Sequence, residues 1–267
     1  MVAGDFGDGA GLPLHRKGDG RRTRHSPSAE TGDVAGSSAD GSWISGTQGR
    51  GGSPTAPAFC VVLGPDYAGK SSALSELSRR EPDWRIFSVD DAFLTPGHSL
   101  ISRLRRELVG EVVPVLHRDY SVDFMMTLMQ TAVLHLRDSI MRSTGGTPIV
   151  VDSYFYKILA KCRLSGVDEH PLYDWWRSFP PPRRVIYLDV APETAWHRCG
   201  TGRDLNPLEY YGERPGWLSF ESFQSDLHKT LTEEIGPLPV TTVAEAEHGQ
   251  ASRIAQDIRE VVTHEYV

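Results

Sequence analysis

The chain has little to crosslink it, little to anchor it and no charge excess for holding a polyanion. Among 267 residues there are three cysteines, Cys60, Cys162 and Cys199, odd in number and too widely spaced for a disulfide framework or a zinc pattern. They are expected to be small buried residues. No apolar run approaches the ~18 residues of a membrane span, and no signal-peptide core follows Met1. A soluble, cytoplasmic protein without a membrane partner is the expectation. The formal net charge of −7, with 28 Lys and Arg against 35 Asp and Glu, argues against a protein built mainly to hold DNA or RNA.

What is present divides unevenly. The first 57 residues hold 13 of the 26 glycines and few large apolar side chains. Such a segment cannot bury enough apolar surface to offset its ordering entropy, so 1–57 is expected to be a disordered arm. Its basic cluster HRKGDGRRTRH reads as a solvated charge run, with a partner contact as the alternative.

From Ala58 onward, buried-strand runs alternate with helical ones. AFCVVLG, WRIFSVDD, GGTPIVVDS, RRVIYLDV and LPVTTV read as strands. The segments between them, including a long apolar-periodic stretch over Asp119–Ser143, read as helices. Apolar strands without alternation, separated by helices, imply a parallel sheet covered on both faces. The fold class expected for 58–267 is therefore three-layer α/β with about five parallel strands.

Between the first strand and its helix stands Gly64-Pro65-Asp66-Tyr67-Ala68-Gly69-Lys70-Ser71, followed by Ser72. This fits G-x-x-x-x-G-K-[ST] at every fixed position, with the strand before it and the helix after it that the motif needs. The loop's backbone N–H groups would converge on phosphate oxygens, and the helix N-terminus would add its positive end. Lys70 would reach the β- and γ-phosphates, and the Ser71 hydroxyl would ligate Mg²⁺. The motif alone does not separate a kinase from a GTPase, a motor or a regulatory binder. No guanine-reading NKxD element is present, and the chain is short for a motor.

By these blocks the chain resembles the thymidylate kinase family and its nucleotide-kinase relatives. GPDYAGKSS matches the family's G-x-D-G-x-G-K-S/T, with Tyr67 in place of a glycine, and VIYLDVAPETAWHR matches its fourth strand and the helix after it. The resemblance implies an ATP- and Mg²⁺-dependent P-loop kinase with a small-molecule phosphate acceptor, and it leans toward a homodimer. It implies that Asp152 sits near the Mg²⁺. It also implies a mobile lid at about 200–216, with Arg198 and Arg203 as the cations that meet ATP, Arg203 the catalytic one.

The departures concern the acceptor. The family's phosphate-binding Arg after the second strand is replaced by the pair Asp90 and Asp91, and the Arg of its D-R-Y block by Ser153. A carboxylate beside an acceptor phosphate is repulsive, whereas beside an acceptor hydroxyl it orients the group and takes its proton. A helix N-cap is the alternative role for the pair. Lys157 and Lys161, four apart on one helix face, restore positive charge if they point inward, which returns a monophosphate such as dTMP to contention. Phe93 and Tyr154 are further candidates for lining the acceptor pocket. Two acceptor classes stay open: a nucleoside monophosphate, and a nucleoside or small-molecule hydroxyl. A P-loop regulator with little turnover is the alternative from another class.

Overall fold

The computed structural model describes residues 56–244 and 251–267. All but the last two residues of the arm expected at 1–57 lie outside that range. Five parallel strands make one sheet: β1 (Cys60–Leu63), β2 (Arg85–Phe87), β3 (Ile149–Asp152), β4 (Arg184–Asp189) and β5 (Val240–Ala244), in the order β2-β3-β1-β4-β5. β1 is central, with Val61 opposite Val151 on one side and Val185 on the other. The strand count, the parallel sheet and its two covered faces are those expected from the sequence.

Among the described residues eight α-helices form: α1 (Lys70–Arg80), α2 (Ser99–Glu107), α3 (Val122–Met141), α4 (Tyr156–Leu164), α5 (Pro171–Arg177), α6 (Pro192–Arg198), α7 (Trp217–Ile235) and α8 (Ala251–Tyr266). Alternate strand residues feed two apolar cores, because successive side chains leave opposite faces of a strand. Cys60, Val62, Val150 and Ile186 meet Leu74 and Leu77 of α1 and Ile254 and Ile258 of α8. Val61, Leu63, Val151 and Val185 meet α3, α4 and α7 through Met125, Leu159 and Leu227. All three cysteines are buried thiols, and burial pushes Cys60 and Cys162 up to about 12.

Two elements differ from expectation. SLISRLRRELVGE, expected as one helix, is α2 followed by a π-turn at Leu108–Val112 and a 3-10 turn at Val113–Val115, where Pro114 supplies no N–H. α5 lies in DEHPLYDWWRSFPPPRR, which carried no expected helix. Pro171 opens it, and the His170 ring accepts a hydrogen bond from the Leu172 N–H. No described helix is long and apolar enough to cross a membrane.

Candidate active site

β1 ends at the loop that enters α1. Gly64 has no room for a Cβ, which would lie 2.7 Å from the Leu188 carbonyl oxygen of β4. Gly69, at φ 85°, caps α1 in the left-handed region that glycine tolerates. Tyr67, where the resembled family has glycine, sits at φ 56°. That conformation costs a non-glycine residue about 1–3 kcal/mol and persists only where neighbours over-determine it. Here the neighbours are clear. The Tyr67 hydroxyl donates to the Asp204 carbonyl at 2.6 Å and to Glu209 Oε2 at 3.1 Å, and Arg198 Nη1 donates to the Tyr67 carbonyl at 3.2 Å. The expected lid segment is thus tied to the P-loop through the loop residue that departs from the family's P-loop pattern.

Asp66 is the electrostatic hub. Its Oδ1 lies 2.8 Å from Lys157 Nζ and 3.0 Å from Lys161 Nζ, and Lys161 also lies 3.6 Å from Glu209. The Asp66 N–H donates to Gln224 Oε1 at 3.0 Å, and Gln224 Nε2 donates back to Asp66 Oδ2 at 3.2 Å. Burial alone would raise the Asp66 carboxyl, but Lys157, Lys161 and then Lys70 outweigh it and hold the group far below the usual carboxylate range. Burial drives the Lys157 ammonium down and Asp66 opposes the fall. Lys70 adds to it, leaving Lys157 at about 8. Lys70 Nζ donates to the Pro65 carbonyl at 3.3 Å, folded onto its own loop.

Both lysines therefore point inward. The backbone explains how: Ser153 and Tyr154 take consecutive left-handed conformations, φ 58° and 48°, turning the chain from β3 into α4 so that one helix face meets the P-loop. Tyr154 itself is nearly fully buried. It packs on Phe59, Phe155 and Tyr156, so its ring belongs to the core more than to an acceptor pocket.

Across the loop stands Asp90. Its Oδ2 accepts from Ser71 Oγ at 2.5 Å, and its Oδ1 lies 2.5 Å from Arg105 Nη1 of α2. Burial works to raise this carboxyl, while the Ser71 hydrogen bond and then Arg105 outweigh it, so the net direction is down. Asp152 accepts from Ser88 Oγ at 2.9 Å and from Ser153 Oγ at 2.8 Å, and the same Ser88 hydroxyl accepts from the Asp90 N–H at 3.1 Å. Asp90 and Asp152 are thus joined through one serine beside the P-loop.

A cleft of about 800 Å³ gathers Asp66 through Ser72, Asp90, Asp152, Tyr154, Lys157, Lys161 and Arg198. Gly64 and Pro65 shape the loop beneath it. Three expected site residues lie elsewhere. Asp91 begins a 3-10 turn at Asp91–Phe93 and is exposed. Phe93 packs with Trp84 and Ile86 against the α1/α8 core, because that core continues past the end of β2. Arg203 is exposed, pairs with the adjacent Asp204 at 3.0 Å and does not line the cleft. Conversely, Arg105 and Gln224 join the site without being expected there. Arg105 had a signal in the run of arginines on the helix after the second strand. Gln224, 158 residues from Asp66, had none.

The residues fit Mg²⁺. Among the described residues no group of three His, Cys, Asp or Glu forms a ready-made cage. A nucleotide-bound Mg²⁺ keeps several waters and takes few protein oxygens. The Ser71 hydroxyl, with Asp90 beside it and Asp152 behind, is such a sparse oxygen set.

No protein-family model matches the chain. A thymidylate kinase of Dictyostelium discoideum is 27% identical over 173 residues, covering 61% of this chain and 68% of that protein. Among solved structures, a deoxyadenosine kinase from M. mycoides with bound dATP superposes with a TM-score of 0.50 at 17% identity, over 76% of this chain and 98% of that one. The thymidylate kinase of Candida albicans gives a TM-score of 0.51 at 16% identity, over 79% and 94%. The solved structures carry the fold, and the Dictyostelium protein carries the sequence likeness. With the P-loop and its cleft in place, the chain is similar in sequence to a thymidylate kinase and has the fold of P-loop nucleoside and nucleotide kinases.

Proposed function

We propose that this kinase moves the γ-phosphoryl group of ATP to a hydroxyl of a small acceptor. The observation that carries the reading is Asp90, a carboxylate in the cleft 2.5 Å from the Ser71 hydroxyl and countered by Arg105, where an acceptor phosphate would be repelled. Its depressed pKa makes Asp90 a weak base. Its main contribution is therefore to orient the acceptor hydroxyl and receive its proton late, as suits phosphoryl transfer. Lys70 leaves the Pro65 carbonyl for the phosphates, and the P-loop N–H groups hold the nucleotide in line. Ser71, with Asp90 and Asp152 behind it, would hold Mg²⁺, which would supply positive charge to offset that of the phosphates. Arg198, whose guanidinium reaches the Tyr67 carbonyl, is the lid-side cation that lines the cleft.

A second reading has its own observation. Lys157 and Lys161 converge on Asp66, and a monophosphate acceptor would give them a second anion. The test is transfer of label from γ-labelled ATP, with and without Mg²⁺, to nucleosides, nucleoside monophosphates including dTMP, and small alcohols. Lys70→Ala runs as the control, with an expected rate loss of about 10²–10³-fold. Label on hydroxyl acceptors supports the proposal. Label confined to monophosphates selects the second reading. ATP bound with no transfer to any acceptor overturns both and favours a regulator.

A further inference from the structure

Three lysines gather around one carboxylate beside the P-loop. Lys157 and Lys161 reach Asp66 from α4, at 2.8 and 3.0 Å, and Lys70 adds to the field that holds the same carboxyl low. Glu209 is the other acid of the group, 3.6 Å from Lys161. Three cations against two carboxylates leave this group with an excess of positive charge. It is largely shielded from water, since the side chains of Lys157 and Lys161 are only 13% and 14% exposed. Enclosed charge without a counterion is costly, so the group is arranged for an anion still to arrive. The hydrogens to hold that anion are in place. Each ammonium has three donors, and among the described residues Lys157 has one carboxylate partner and Lys161 two. Gln224 fixes Asp66 through its other oxygen, so the carboxylate presents both lysines from a set position.

The neighbours say whose anion it is. Asp66 belongs to the P-loop itself, and the Lys70 ammonium beside Lys157 is the group that meets the β- and γ-phosphates in this motif. Asp90, the carboxylate toward the acceptor, is countered instead by Arg105 of α2. Arg203 does not line the cleft, whereas Lys157 and Lys161 do. We propose that Lys157 and Lys161 are catalytic residues that hold the γ-phosphoryl oxygens of ATP and offset their charge during transfer. This rests on the reading of the cleft as a phosphotransfer site, and it assigns the pair to the donor rather than to an acceptor phosphate. In the step, the acceptor oxygen bonds to the γ-phosphorus as the bond to the β,γ-bridging oxygen breaks, and that oxygen leaves on ADP with the electron pair. The acceptor proton passes to Asp90 and then to solvent. The lysines stay charged and exchange no proton.

The test compares binding of β,γ-imido-ATP and of ADP to the full chain with Mg²⁺, alongside dTMP binding and transfer of label from γ-labelled ATP to nucleosides, monophosphates and small alcohols. Lys157→Met and Lys161→Met should each weaken β,γ-imido-ATP by at least about tenfold more than ADP, the worth of one hydrogen bond to a charged group. Their kcat should fall by about 10²–10³-fold. Should Lys157→Met fail to fold, Asp66→Asn combined with Lys157→Met removes cation and carboxylate together and should show the same selective loss. Variants that weaken both nucleotides equally but lose dTMP would assign the lysines to an acceptor phosphate, which overturns the inference and leaves the kinase reading intact. A selective loss of β,γ-imido-ATP in a chain whose wild type transfers no label upholds the γ-phosphate contact and sinks the kinase reading. Equal binding of all three ligands by wild type and variants overturns the inference outright and leaves the lysines as braces for Asp66.

Discussion

The two sides of the cleft are built on opposite principles. On the nucleotide side nearly every polar atom has a fixed partner: Asp66 with two lysines and Gln224, Ser71 with Asp90, Tyr67 with Glu209. On the side of α2 no helix residue is buried, and Ile101 and Leu104 of its apolar stripe line the cleft. A preorganised electrostatic wall suits a chemistry that consists mostly of positioning and charge stabilisation. A loosely packed apolar wall suits recognition by area rather than by hydrogen-bond pattern. The difference implies that substitutions on the first side cost folding and rate, while those on the second change which acceptor is used.

The strongest way to break the nucleotide side is Asp66→Asn. It leaves Lys157, Lys161 and Lys70 crowded together without their anion, and removing one partner of a buried ion pair costs about 3–5 kcal/mol. Urea unfolding should show a loss of that order. Added ATP should restore more stability to the variant than to the wild type, because phosphate then supplies the missing negative charge. Equal stabilisation of the two proteins by ATP would mean that the lysines do not face the nucleotide.

Asp90→Asn comes next. It keeps the shape and loses the negative charge, so kcat should fall about 10²-fold, or ~2.7 kcal/mol, with ATP affinity little changed. An unaltered kcat with weaker ATP binding would make Asp90 part of the metal site alone.

What the sequence disclosed follows the same division. The P-loop, the strand–helix alternation and the inward potential of Lys157 and Lys161 depend on neighbours within one element, so spacing reveals them. Which way the two lysines face depends on the paired left-handed turns at Ser153 and Tyr154, and a serine and a tyrosine do not advertise positive φ. The partner of Asp90 lies 15 residues on, across the cleft, and only the fold brings Arg105 to it. Phe93 looked like a stacking ring because aromatic residues suit both pockets and cores. The α1/α8 core reaches past β2 and claims it. Arg203 fits the family's lid by order along the chain, yet the neighbouring Asp204 captures it.

A subtler test of the lysine cluster uses pH. Lys157 lies at about 8 in the folded chain against an ordinary 10.5. Between those values the unfolded chain binds more protons than the folded one, so unfolding free energy should rise with pH from about 8 to 10.5. Lys157→Met should remove that slope. Saturating ATP should also flatten it in the wild type, by returning the ammonium to a charged environment. Asp66 gives a slope of the same sign in a lower window. Its contribution is complete above the unfolded carboxyl's value near ~3.9 and is lost as pH falls from there toward the depressed folded value. A slope that survives in Lys157→Met would place the titration elsewhere.

The smallest expected effect is also the most local. Tyr67 holds a strained φ of 56° while its hydroxyl ties the P-loop to the segment after α6. Tyr67→Phe removes the two hydrogen bonds and keeps the strain, and each such bond is worth about 0.5–1.5 kcal/mol. The KM for ATP should rise by less than about tenfold, with the loss seen in KM more than in kcat. Tyr67→Gly removes the bonds but also releases the strain, so it should be the more stable of the two in urea even though its segment is equally untied. If Phe and Gly were equally stable, the strain would not be stored at this residue. If neither changed KM, the contact to Asp204 and Glu209 would be a packing detail, and the segment after α6 would be held to the P-loop by Lys161 instead.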